Sequence, residues 1–256
     1  MKQLILSSAA AILFLGACET AVQTTSGADY LARYNSTYDV ADAPSADLDA
    51  DVRRIAALEP NLVFPARIGL ARFEHGKLTA IPEGEAHIWQ DAVADLGTGF
   101  GEFVPVSPLI AALVEEKPKA GTNPAAAVIG HIRRGAARQH LDYVLVYEVG
   151  TRRSSKANAL AVADLTVVGM FVLPSRTIEV EAMASGLMLD VRNGYPYASM
   201  TTYAEKSGTG RAVSQRSLKI DYGETATERA VDTLADEFAI ALGELRLRAA
   251  EQSSGG

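Results

Sequence analysis

The side chains best suited to chemistry in this 256-residue chain are its four histidines, His75, His87, His131 and His140. A histidine acts as a base or metal ligand when a second histidine or a carboxylate stands at a fixed spacing from it. His87 shares a helical segment with Trp89, His131 lies in the segment after Pro124, His140 ends that segment, and His75 follows a strand. None has such a neighbour, so solvated or capping roles are expected for all four. Glu179 and Glu181 alternate on one strand face opposite Ile178 and Val180. Paired carboxylates could exchange a proton, but a strand with one wet face shows the same pattern, and that plainer reading is preferred. The motifs H-E-x-x-H, G-x-S-x-G, G-x-x-x-x-G-K-[ST] and S-x-x-K are missing. Gly97-Thr-Gly-Phe-Gly101 follows a helical segment and precedes a strand, the reverse of a dinucleotide loop, and reads as an αβ connection. The expectation is a chain with no catalytic residue, no metal site and no cofactor.

The lone cysteine, Cys18, has a clearer context. Lys2 is followed by an apolar run from Leu4 to Leu15, then by Gly16, Ala17 and Cys18. A charged start, a short apolar core and small residues before a processing site make a secretory signal. Its run of about 12 residues is too short for a bilayer-spanning helix, which needs ~20. Leu15-Gly16-Ala17-Cys18 resembles the lipobox of bacterial lipoproteins. That resemblance implies that residues 1–17 are removed, that the Cys18 sulfur carries a diacylglyceryl thioether and that its new amino terminus is acylated. Several acyl chains, at ~0.8 kcal/mol per buried methylene, hold a protein durably where one is marginal. The same resemblance implies, from Glu19 rather than Asp after the cysteine, the outer membrane, with the domain in the periplasm.

Loss of residues 1–17 takes Lys2 away and leaves 23 basic and 31 acidic residues, a formal charge of −8. Such a balance gives no reason to expect nucleic acid or anionic lipid as a partner. No disulfide can form, so packing must supply the stability.

These residues need a scaffold, and the hydrophobic periodicity outlines one. Residues 18–46, poor in large aliphatics, read as a flexible tether; fully stretched, its ~27 residues at ~3.3 Å each would reach ~90 Å. Tyr30, Leu31, Tyr34 and Tyr38 interrupt it at near-helical spacing, as a short docked helix would. Residues 47–250 read as one α/β domain, and 251–256 as a disordered tail. Ser45 to Leu58 predicts a short helix, Pro65 to Phe73 a strand, Pro82 to Leu96 a helix closed by Gly97, Phe103 to Val106 a strand, and Pro108 to Glu115 a turn or two of helix. Asn123 caps a helix opened by Pro124, with Arg133, Arg134 and Arg138 on its wet face. Val144 to Val149 is apolar enough for a strand covered on both faces, and Arg152 to Lys156 reads as a polar break. Over 158–173, Asn158, Asp164 and Pro174 favour a buried helix, although Leu165 to Leu173 would also pass as a strand.

From Ile178 to Ala184 alternate residues are apolar, and Leu187, Leu189 and Val191 continue on the opposite parity, which predicts a β-bulge near Ser185-Gly186. Asn193-Gly194 suits a type I′ hairpin turn, with a return strand from Tyr195 to about Lys206. Ser207 to Tyr222 reads as a loop, and Thr225-x-x-Glu228 as the capping box of a final helix with Val231, Leu234, Phe238, Leu242 and Leu245 inward. The fold class expected is α/β, a two- or three-layer mixed sheet of about five strands, β-α-β-α-β and then a long antiparallel hairpin, with a long C-terminal helix.

This order of elements carries a further likeness. The lipobox, Ala66-Arg-Ile-Gly-Leu-Ala-Arg-Phe73, Leu141-Asp-Tyr-Val-Leu-Val-Tyr147, Leu165-Thr-Val-Val-Gly-Met-Phe-Val-Leu-Pro174 and Leu187-Met-Leu-Asp-Val-Arg-Asn-Gly194 together resemble the rhombotarget-type bacterial lipoproteins. More distantly, Asp190-Val-Arg-Asn-Gly194 is similar to the strand end in the α/β domain of the TolB amino terminus, the penicillin-binding-protein activator LpoB and the curli secretion lipoprotein. The Gly-Gly plus membrane tail that a rhomboid-type sortase processes is not seen after Gly255-Gly256. The resemblance implies a periplasmic interaction or assembly module without catalysis, bound to the membrane through its lipid, with an envelope protein as partner and homo-oligomerisation also compatible. The alternative is a periplasmic hydrolase or small-ligand-binding lipoprotein built around one of the histidines. Asn193, Gly194, Tyr195 and Tyr197, at the hairpin, are the candidate interaction surface.

Overall fold

The computed structural model describes residues 18–35, 46–114, 123–157, 176–210 and 214–254. A seven-stranded mixed sheet is built from β1 (Glu19–Val22), β2 (Ala66–Glu74), β3 (Lys77–Thr79), β4 (Gly101–Pro105), β5 (Tyr143–Ala157), β6 (Arg176–Asp190) and β7 (Pro196–Gly210). Its order is β1-β7-β6-β5-β2-β3, with β4 also on β2. β2 runs parallel to both β4 and β5, the crossovers being made by helices, while β5, β6 and β7 form an antiparallel meander. The helices are α1 (Gly27–Asn35), α2 (Ala46–Ala56), α3 (Glu83–Leu96), α4 (Pro108–Ala112), α5 (Pro124–Arg138) and α6 (Gln215–Ser254). The fold class is therefore α/β, as expected, with two strands more than foreseen, β1 and β3.

Two cores lie on opposite faces of the sheet. On the first, α6 and α3 cover Ile68, Leu145, Tyr147, Val180, Met188 and Met200, with Leu234, Phe238 and Leu242 of α6 fully enclosed. Phe238 meets Trp89 and Phe103 edge-on, at ring centroid separations of 6.0 and 6.3 Å. On the second face α5 lays Ile132 and Ala136 against Ala71, Val144, Leu189 and Val191. Its helix begins where Asn123 and Pro124 predict, the Asn123 carbonyl accepting from Ala127 N at 3.0 Å.

Several expectations are corrected. The tether over residues 18–46 is not slack along its first half. Glu19–Val22 is an edge strand paired antiparallel to β7, with Glu19 opposite Thr201 and Val22 opposite Ala198, and α1 follows. Small polar residues look like linker in isolation, but a sheet edge accepts them because the ladder needs only backbone. The bulge lies not at Ser185-Gly186 but at Met188/Leu189, where the extra residue is Tyr197 of β7. Gly186 and Met188 continue the buried row of Ile178, and Leu187 and Leu189 belong to the second core, so the parity does not flip; the strand is simply apolar on both faces once α5 covers it.

The Ser207–Tyr222 loop and the Thr225 cap also give way. β7 runs on to Gly210 and α6 starts at Gln215, so Thr225 lies inside the helix and donates from Oγ1 to the Asp221 carbonyl at 2.9 Å. The polar residues Arg152 to Lys156 are part of β5 rather than a break, and α6 continues to Ser254 where a disordered tail was expected. The helix expected at 158–173, together with Leu15, Gly16, Ala17 and Tyr38, falls outside the described residues.

Candidate functional site

The site expected from the sequence has two parts, an anchor at Cys18 and the loop after β6. Cys18 is exposed and lies directly beside the first strand residue. Partial burial and the neighbouring Glu237 carboxylate push its thiol pKa upward. Thr20 Oγ1 donates to Glu237 Oε2 at 2.6 Å, Arg248 Nη1 to the Val22 carbonyl at 3.3 Å, and Gln23 N to the Tyr197 carbonyl at 2.9 Å. The strand that follows Cys18 is thus stitched to α6 and β7.

The loop Val191–Tyr195 is not a two-residue type I′ turn. Gly194 alone has positive φ, at 80°, and its N–H reaches the Asp190 carbonyl at 3.0 Å while Asp190 N donates to the Tyr195 carbonyl at 2.9 Å. Asp190 Oδ1 accepts from Arg192 N at 2.7 Å and Asn193 N at 3.1 Å, which organises the turn as Asp and Asn commonly do. Arg133, read as a solvated arginine, instead donates to the carbonyls of Val191 and Arg192 at 3.0 Å each. Arg192 meets the Asp142 carboxylate.

Of the four residues expected to face a partner, Tyr195 and Tyr197 are buried and Asn193 and Gly194 half-buried, so they do not form an exposed surface. They fasten the N-terminal segment instead. The Tyr195 hydroxyl donates to the Thr25 carbonyl at 2.7 Å, and Asn193 Nδ2 to the Glu59 carbonyl at 2.8 Å. Tyr197 accepts from Asn61 N at 2.8 Å, and Tyr143 accepts from Val63 N at 2.7 Å while donating to the Asn61 carbonyl at 2.9 Å. Desolvation raises the pKa of both phenols. Glu59 accepts from Ala28 N at 2.8 Å, and the Ala28 amide and the Ser26 hydroxyl lower its pKa.

The histidines stand apart. His75, 91 % exposed in its side chain, occupies the β2–β3 turn at φ 49°, and His140 the end of α5 at φ 56°. His87 is exposed on α3, and His131 Nδ1 is buried without a hydrogen-bond partner. No group of three or more histidine, cysteine or acidic residues able to hold a metal occurs among the described residues.

What sequence reasoning missed is a buried ionic cluster under α3. Arg72 Nε sits 3.0 and 2.9 Å from the two carboxylate oxygens of Glu85, Arg72 Nη1 donates to Glu74 at 2.8 Å, and the Tyr147 hydroxyl donates to Glu85 Oε2 at 2.9 Å. Burial opposes the charge on Arg72, yet the Glu85 bonds and charge and the Glu74 charge outweigh it and raise its pKa. Desolvation and Glu85 drive the Tyr147 phenol far upward. The available signal was Arg72 falling on the inward parity of an apolar strand. The cluster has the makings of a brace: charges satisfied by one another, enclosed between strand and helix, with the Trp89 ring tilted against that of Tyr147, the centroids 5.2 Å apart.

Among the open depressions on the surface of the described residues, two flank the elements just described. One, of about 750 Å³, lies between α1, α2 and the Gly194–Pro196 stretch. The other, of about 300 Å³, lies on the second sheet face beyond Ile129 of α5, floored by Val146 and Leu187 and rimmed by Glu148, Ser185, Ser199 and Thr201.

No protein-family model and no curated protein matches the chain. Among solved structures it is similar to a minor lipoprotein from Acinetobacter baumannii, at 10 % identity and a TM-score of 0.37 over 73 % of this chain and 96 % of that one. A lipoprotein from Caulobacter crescentus CB15 is similar at 11 % identity and a TM-score of 0.29, over 69 % and 90 % of the two chains. Lipoprotein GNA1162 from Neisseria meningitidis is similar at 18 % identity and a TM-score of 0.29, over 63 % and 99 %. All three are loose likenesses.

Proposed function

We propose that this chain is a bacterial envelope lipoprotein of the rhombotarget type, acylated at Cys18 and held at the periplasmic side of the outer membrane, and that it works as a non-enzymatic interaction or assembly module. The observation that carries the reading is Leu15-Gly16-Ala17-Cys18 with a folded strand beginning at the next residue, Glu19. A lipid-bearing cysteine joined without slack to a sheet edge suits a protein whose task is to hold a surface at the membrane. Two groups of enclosed polar side chains support the same reading: Arg72, Glu85 and Tyr147 satisfy one another, and Tyr143, Tyr195 and Tyr197 serve the backbone of the N-terminal segment.

The test is mass analysis of the mature N-terminal peptide from membranes, together with membrane fractionation. A peptide starting at a triacylated Cys18, and release of a Cys18→Ser variant from the membrane fraction or retention of its precursor, is the expected result; Glu19→Asp should shift the protein toward the inner membrane. An unmodified Cys18 in membrane-bound protein would sink the reading.

A further inference from the structure

We propose that the upper half of the second sheet face, formed by β5, β6, β7 and β1 beyond α5, docks a basic amphipathic helix of an envelope protein. The inference deepens the interaction-module reading and rests on it.

The strand periodicity sorts the side chains unambiguously. Even-numbered residues of β6 from Ile178 to Met188 point into the α6 core, so the odd-numbered ones point the other way. By register they join the even residues of β5 and the odd residues of β7 and β1. Among the described residues, α5 covers this face only as far as Val146 and Leu187. Beyond them Met183 and Tyr203, directly opposite one another, are 40 % and 56 % exposed. A large thioether and a phenol side by side on a stretch of sheet that no described helix covers are the kind of pair that a partner buries.

The charge on this face names the partner's chemistry. Among the described residues of these strands, Glu148, Glu179, Glu181 and Glu205 stand on it together with Glu19 of the edge strand, against Lys156 and Arg152, the latter 3.7 Å from Glu181. An apolar strip set among carboxylates complements a helix that carries lysine or arginine beside its apolar stripe. It repels a second copy of itself and an anionic bilayer. The chain already closes the lower half of the face in this manner. α5 presents Val128, Ile129, Ile132 and Ala136 to the sheet and carries Arg133, Arg134 and Arg138 along its flank, with Arg133 bonded to strand-end carbonyls. A second helix of like composition, lying beside α5, would complete the layer. The depression between Ile129, Leu187 and Thr201 is where it would start.

A photo-crosslinking amino acid placed in the full-length chain at position 183 or 203 in living cells tests this, with positions 240 and 55 as controls on α6 and α2. The crosslinked segment is sequenced by mass. Expected is one segment captured from both 183 and 203, with apolar residues at helical spacing and lysine or arginine beside them. Glu148→Lys with Glu205→Lys should cut the yield at least tenfold while leaving Cys18 acylation and the thermal midpoint unchanged. The proposal is overturned by capture of this chain's own residues, of the same face of a second copy, of phospholipid or of a segment without basic residues, and equally by a yield indifferent to charge reversal. Capture only at 240 or 55 removes this surface and leaves the interaction module standing; no capture at any position removes both.

Discussion

Removing the Glu85 carboxylate should reveal how much of the fold depends on one ion pair. Arg72 and Glu85 are 7 % and 3 % exposed, and the guanidinium Nε lies within 3.0 Å of both Glu85 oxygens. Breaking a buried pair by deleting one partner leaves the other charge desolvated and costs about 3–5 kcal/mol. Glu74 remains at 2.8 Å, but its side chain is 44 % exposed and its attraction is screened, so it recovers only a little. Glu85→Ala should therefore cost about 3 kcal/mol, with the Tyr147 hydroxyl orphaned as well. For a domain of this size, a midpoint moves by ~2–4 °C per kcal/mol, giving a fall of about 6–12 °C. The triple change Arg72→Met, Glu85→Leu, Tyr147→Phe removes the charges and the orphaned hydroxyl together and should lie within about 1 kcal/mol of the parent, or be more stable by about 1–4 kcal/mol. Urea unfolding followed by circular dichroism measures all of these. A single variant within 1 kcal/mol of the parent, or a triple variant as weak as the single, would refute the brace.

Tyr195→Phe deletes the bond to the Thr25 carbonyl and should cost about 1 kcal/mol, visible as faster proteolysis around residues 23–28; unchanged cleavage would argue against the stitch. Gly194→Ala places a Cβ 2.9 Å from Arg133 Nη1 at a φ of +80°, and about 1–2 kcal/mol should be lost in thermal unfolding. Because Glu59 has a lowered pKa in the fold, its contribution is present above the unfolded carboxylate pKa of ~4.3 and lost as pH falls through the folded value. Exchange of the Ala28 amide should accelerate over that acid range, and Glu59→Gln should abolish the dependence. Tyr143, Tyr147 and Tyr197 have raised pKa values, so their contribution is intact below ~10 and declines as pH rises through the folded values. Absorbance titration should show these phenols ionising only together with unfolding, and a gradual tyrosinate signal in a still-folded protein would count against their burial.

The elements whose identity is set by local pattern were legible. Asn123-Pro124, the Gly97 stop and the apolar alternation of Ile178 to Ala184 each fix an element without help from the rest of the chain. Residues that serve long-range packing were misread. Gly208 and Gly210 look like loop glycines, yet a Cβ on Gly208 would come 2.4 Å from the Tyr222 hydroxyl and one on Gly210 2.3 Å from Leu218, so they are strand glycines that let α6 lie close. Thr225-x-x-Glu228 matches a capping box because capping chemistry is local, and nothing local reveals that a helix is already running. Asn193 and Tyr197 drew notice as turn and aromatic residues, but their partners, Glu59 and Asn61, lie more than 130 positions away. Arg72 and Glu85 escaped notice because charge on an apolar strand is paired only once the helix has arrived.

The direct junction of Cys18 and β1 also decides how the molecule would carry a load. β1 runs antiparallel to β7, with its first residue next to Cys18, the position proposed to carry the lipid. Tension along the strand axis would stretch the β1–β7 ladder in shear, all its bonds bearing at once, and Gln23 N to Tyr197 and Thr20 to Glu237 would share it. Tension across the axis would peel the same bonds singly, starting at Glu19.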